Sequence, residues 1–177
     1  METALVLKVP EAEEAVSHWR RRHDPSATEG MPAHVTLVYP FREWGQIDAA
    51  AEEALAYLFA RAHPIDLHFA ETRRFASILW LAPARPEPVI ALVRAMRLAF
   101  PENLPYSGAH AEVVPHLTVA HAADGEDAQA ELDRIEREFL AEARRHLPIR
   151  ARIEEVSLFR KESGGWREAR RFALGNG

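Results

Sequence analysis

Two apolar runs constrain this chain more than anything else in it. "MPAHVTLVYPF" covers residues 31–41 and "VPHLTVAHA" covers 114–122. Each interrupts a strand-like stretch with a histidine and, two residues later, a threonine: His34 and Thr36, then His116 and Thr118. Side chains two apart on a strand project from the same face. Each His/Thr pair therefore points one way, while Val35 and Leu37, or Leu117 and Val119, point the other way into a core. A single such histidine reads as structural. Two in matching positions of a repeat read as a site.

The repeat extends beyond the motifs. After the first comes a helical pattern and then "HPIDLHFAETRRF" (63–75); after the second comes a helical pattern and then "LPIRARIEEVSLF" (147–159). From His34 to Pro64 is 30 residues and from His116 to Pro148 is 32; to Phe75 and Phe159 the spans are 41 and 43. Strand, helix, Pro-Ile and strand thus recur in one order at one spacing. The expectation is one domain over 1–177 with two similar lobes, their motif segments at about 32–75 and 114–159. A rough two-fold axis between the lobes would turn both imidazoles and both hydroxyls into one cleft.

Apolar periodicity supplies the remaining elements. Strands are expected at 3–9, 33–39, near 65–71 and 77–82, along "EVVPHLTVA", and at about 149–159 and 166–174, with Gly164 and Gly165 turning between the last two. Helices are expected after Pro10 (with Val16 and Trp19), after Asp48 (Ala51, Leu55, Leu58 and Ala62 on one face) and from Pro86 and Pro88 (Val89, Val93, Met96, Phe100). The longest carries Leu132, Ile135, Phe139 and Ala143. Helices alternating with inserted strand pairs argue for an α+β class with mixed β-sheets.

Composition narrows the function. At 47% hydrophobic and 28% charged residues the chain is globular. It has no cysteine, which excludes disulfides and thiolate metal sites. The first apolar run, "TALVLKV", is too short for a signal-peptide core or a membrane span, so a soluble cytoplasmic protein without membrane contact is expected. With 27 acidic against 22 basic residues, a net charge of −5 and no run of five like charges, coating of long nucleic acid is not expected. A nucleic-acid substrate would be handled as an end or a small fragment. Two facing imidazoles suit phosphodiester chemistry, one taking a proton and the other giving one, with threonine hydroxyls on the phosphate oxygens.

"HVTL" and "HLTV", their histidines 82 positions apart, resemble the paired motifs of the 2H phosphoesterase superfamily, and most closely its 2′-5′ RNA ligase-like branch. "PAHVTLVYPF", "FPENLPYSG", "VVPHLTVAH" and "GGWREARRFALG" extend the resemblance over nearly the whole chain. It implies a bilobal α+β fold with both motifs lining a central groove. It also implies metal-independent, cofactor-free processing of 2′,3′-cyclic phosphates or 2′-5′ linkages in RNA ends or small nucleotides. The catalytic set it implies is His34, Thr36, His116 and Thr118, in a protein expected to act as a monomer.

Two rival readings stand beside this one: a non-catalytic binder of nucleotides or RNA ends using the same cleft, and a histidine-based metallohydrolase. Further substrate contacts are proposed at Tyr39, Tyr106 and His110, the last two in the loop "PYSGAH" before the second motif. By strand parity Tyr39 lies on the face opposite His34, and His121 on the face opposite His116. Arg73, Arg74, Arg160 and Lys161 read as solvated strand ends able to meet phosphates. Trp80 and Trp166 read as core residues able to stack a base. His18, His23, His63, His68 and His146 form no ligand pattern.

Overall fold

The computed structural model describes residues 1–103, 113–123, 125 and 127–175. Among the described residues eight strands run in chain order: β1 (Thr3–Lys8), β2 (His34–Val38), β3 (Ile65–Arg74), β4 (Ile78–Pro83), β5 (Leu117–His121), β6 (Ile149–Ile153), β7 (Glu155–Glu162) and β8 (Gly165–Ala173). The helices are α1 (Glu13–His23), the single turn α2 (Pro25–Thr28), α3 (Ala49–Ala60), α4 (Glu87–Ala99) and α5 (Ala128–Ala143). Their starts follow local chemistry. Asp48 caps α3 by accepting the Ala51 N–H at 2.9 Å, and Asp24 caps α2 by accepting the Ser26 N–H at 2.9 Å, with Pro25 at the first helical position.

All eight strands form one sheet in the order β6-β3-β4-β5-β2-β1-β7-β8. Every pairing is antiparallel, where the sequence pattern suggested mixed sheets. The α+β class stands; the strand directions differ because they are set by long-range pairings. The expected strand at 149–159 is two, broken at Glu154. One half of it pairs with β3 and the other with β1, at opposite sides of the sheet.

The β2–β5 contact divides the sheet into two four-stranded halves, each with one motif strand. The sequence repeats do not map onto these halves. β3 follows the first motif in sequence but lies beside β4 in the half that holds His116. β7 follows the second and lies beside β1 in the half that holds His34. Each repeat lends a strand to the other's half, which ties the halves together.

The main core fills the helix-covered face. Val35, Leu37, Leu117 and Val119 are buried there with Leu5, Leu7, Leu55, Met96, Leu132 and Phe139. A second cluster of Ala4, Val6, Met31, Phe159 and Trp166, with Tyr39 packed against it, lies apart from that core. A one-residue slip of β2 or β5 would turn the apolar side chains out and the histidine and threonine in. Each apolar side chain lost from the core costs about 1.5–3 kcal/mol. Core packing therefore fixes the direction of the polar pairs.

Candidate active site

β2 and β5 are neighbours, paired through Val35 and Leu117. Continued one residue each way, that antiparallel register sets His34 across from Thr118 and Thr36 across from His116. All four side chains leave the face opposite the buried Val35 and Leu117, and all four are half-buried. Diagonal neighbours on adjacent strands are about 7–8 Å apart. That spacing leaves room for one phosphate between the two ring tips.

Each imidazole is oriented in the same way. Nδ1 of His34 lies 2.7 Å from the Pro32 carbonyl oxygen, and Nδ1 of His116 lies 2.7 Å from that of Val114, two residues back in both cases. A carbonyl only accepts, so both Nδ1 atoms carry hydrogen. Nε2 is then the atom of each ring that exchanges a proton.

Their surroundings differ. Burial and the nearby Arg20 guanidinium pull His34 down to a pKa of about 4, against the opposing hydrogen bond to Pro32 and the Asp24 charge. Burial also lowers His116, opposed by the hydrogen bond to Val114 and aided by His121. Arg20 is only 2% exposed and meets the equally buried Asp24 at 3.0 Å. Ser26 Oγ donates to Asp24 at 2.8 Å and accepts from Arg20 at 3.3 Å. Sequence reasoning missed this group because Arg20 begins the run Arg20–Arg21–Arg22, which reads as a solvated helix end. The available signal was the i,i+4 spacing of Arg20 and Asp24 just before a proline.

A bulge follows each threonine. Along β1 and β2 the register passes from Val6↔Thr36 to Leu5↔Val38, and along β4 and β5 from Trp80↔Thr118 to Leu79↔Ala120. One extra residue on the motif strand reverses parity beyond it. Tyr39 and His121, each five residues past its histidine, are thereby returned to the groove side. The expectation that they lie on the opposite face fails at this bulge. Tyr39 lines a cavity of about 230 Å³ together with His34 and Thr36. Its hydroxyl donates to Glu2 Oε2 at 3.0 Å, and its ring meets Trp166 edge-on at 5.8 Å. His121 Nε2 is 3.9 Å from Asp24 Oδ1. Tyr106 and His110 lie outside the described residues.

Residues 9–165 match the family model of the 2′-5′ RNA ligase superfamily. The chain belongs to that superfamily. TT0787 of Thermus thermophilus has a similar fold, with 18% identity, a TM-score of 0.63 and 100% of both chains covered. So does Escherichia coli LigT, in its complex with 3′-AMP: 20% identity, a TM-score of 0.58, 98% of this chain and 97% of that one covered. No curated protein matches the sequence. Membership in the 2′-5′ RNA ligase superfamily sets the chemical class, a phosphodiester-processing enzyme.

In this superfamily member the second half of the groove is packed where the first is open. Phe75 stacks on Trp80 at 4.8 Å, and His116 meets both rings edge-on, at 5.2 and 5.9 Å. Trp80, 4% exposed, lies across from Thr118 and forms a wall beside His116. Trp166, 6% exposed, is a wall of the cavity beside His34. Arg74 is held by Asp133 and Glu136, Arg73 lies 3.8 Å from Glu71, and Arg160 pairs with Glu162 at 2.5 Å. Lys161 alone of the four lines the cavity. A larger cavity of about 720 Å³ between α3 and α4 touches neither motif and has mostly apolar walls. Among the described residues, no group of three or more histidines and carboxylates is arranged to hold a metal ion, and no helix is long and apolar enough to cross a membrane.

Proposed function

We propose that this chain is a metal-independent hydrolase of 2′,3′-cyclic phosphates or 2′-5′ phosphodiesters in small nucleotides or RNA ends. The observation that carries this reading is the matched orientation of the two rings. Both Nδ1 atoms are tied to a carbonyl two residues back, leaving both Nε2 atoms for the groove.

His34 is the base in the hydrolytic direction. Burial and Arg20 keep it neutral across the physiological range. It takes a proton from water as the water oxygen attacks phosphorus. The bond from phosphorus to the ribose oxygen breaks, and that oxygen takes a proton from Nε2 of His116. His116 is the acid because an anionic phosphate beside it favours its charged form. The product is a phosphomonoester, and solvent exchange resets both rings. Thr36 and Thr118 donate to the non-bridging oxygens, where charge gathers. With a 5′-hydroxyl in place of water, the same attack on a cyclic phosphate breaks the bond to the ribose 3′-oxygen and forms a 2′-5′ phosphodiester, which is ligation.

Turnover of 2′,3′-cyclic nucleotides and 2′-5′ dinucleotides, with and without EDTA, tests this. Turnover of at least one class, unchanged by EDTA, is expected. Activity lost on chelation and restored by Zn²⁺ or Mn²⁺ would make it a metallohydrolase. No turnover together with nucleotide affinity would make it a binder.

A further inference from the structure

Resting on the nucleotide phosphoesterase reading, we propose that the cavity beside His34 and Thr36 is a base pocket selective for guanine. Its size comes first. About 230 Å³ is below the roughly 300–1,000 Å³ of sites that enclose a whole drug-sized ligand, so it suits a single ring system attached to a ribose phosphate outside. The space exists because β1 presents Ala4 and Val6 here. In the other half, Thr118 has Trp80 across from it where Thr36 has Val6.

The walls suit a flat, partly apolar ring. Met31, Val6, Tyr39 and Trp166 supply apolar and aromatic surface against which a base can pack.

The rim supplies the selection. Glu29 Oε2 and Lys161 Nζ are 2.9 Å apart on the cavity edge, both with side chains about 40% exposed and able to reorient onto a ligand. They place two carboxylate acceptors beside an ammonium donor. Guanine presents the complement, two adjacent N–H donors (N1 and N2) next to the O6 acceptor. Adenine and cytosine each put one amino group beside a ring nitrogen that accepts, and uracil puts one N–H between two carbonyls. Only guanine gives both oxygens of one carboxylate an N–H while leaving an acceptor for the ammonium.

The rim is also anchored. The Trp166 backbone N–H donates to the Glu29 backbone carbonyl at 2.6 Å. Gly165 makes that approach possible, with φ at +105° and no Cβ to meet the Glu29 carbonyl.

The experiment compares kcat/KM for the 2′,3′-cyclic phosphates of guanosine, adenosine, cytidine and uridine, in wild type, Glu29→Gln and Lys161→Met. Guanosine should lead by about tenfold or more. Glu29→Gln replaces one acceptor with a donor and should lower the guanosine value about 10–100-fold, while the others stay within about threefold. Lys161→Met should cost guanosine about tenfold and serves as a second probe should Glu29→Gln fold poorly. Equal turnover of all four by wild type overturns the guanine pocket and leaves the phosphoesterase reading intact. If none is turned over, the cyclic-phosphate arm of that reading falls, and titration with guanosine and adenosine 3′-phosphates decides the pocket alone. A guanosine preference lost in Glu29→Gln supports it, and equal affinities overturn it.

Discussion

The two halves of the groove share a skeleton and differ in what surrounds it. In each, a motif strand presents histidine and threonine from one face, the ring is tied to a carbonyl two residues back, and a bulge brings in a residue five positions on. Across from the threonine, however, one half has Val6 and the other Trp80. The first is left with a cavity, and its histidine feels the buried Arg20–Asp24 pair, which also meets His121 of the second; in the second, Phe75 and Trp80 pack against the histidine. The two motif strands set the shared geometry, and their cross-strand neighbours set what each half can hold.

The shared skeleton carries the largest effects. His34→Ala and His116→Ala should each lower kcat/KM on a 2′,3′-cyclic phosphate about 10²–10⁴-fold. The double variant should fall far less than the product of the two, because residues acting as a unit are not additive. A loss in one variant only would break the pairing of the halves. Melting temperatures near wild type would tie the loss to chemistry, since both rings lie on the face away from the main core.

Thr36→Val and Thr118→Val keep the shape and remove a hydroxyl donor. Each should cost about 10–10³-fold in kcat, at or below the loss of one oxyanion donor. Unequal losses measured on one substrate would show that one half holds more of the developing charge.

The common face of the four motif side chains was legible in the sequence, because i,i+2 side chains on a strand project from the same side. Tyr39 and His121 were misplaced because a bulge is set by cross-strand register, which the strand's own residues do not encode. The element order was largely visible, with Asp48, Pro86 and the Leu132–Ile135–Phe139–Ala143 stripe marking their helices. Strand directions and the exchange of β3 and β7 were not, since Ile65 pairs with Ile153 and Thr3 with Arg160, 88 and 157 positions apart. Lys161 and Glu29 looked like ordinary surface charges; only folding brings them to the rim of one cavity.

The difference between the halves can itself be erased. Val6→Phe gives Thr36 a bulky neighbour of the kind Thr118 has and fills the cavity. KM for a cyclic nucleotide should rise about tenfold with kcat within about threefold, the pattern for binding lost equally in ground and transition states. Overpacking of this kind costs about 1–3 kcal/mol of stability, read by denaturant melts. An unchanged KM would mean that substrate does not use the open half.

The division of labour between His34 and His116 is tested most directly by the pH dependence of kcat/KM in wild type and the two histidine variants. A base must be neutral, so its protonation removes activity at low pH; an acid must be charged, so its deprotonation removes activity at high pH. With His34 held down to about 4 and His116 also lowered, the wild-type bell should be centred below pH 6.5. His34→Ala should lose the acidic limb and keep the alkaline one, and His116→Ala should do the reverse. Limbs lost in the opposite order would exchange the two roles, and both limbs persisting in both variants would contradict the two-histidine mechanism.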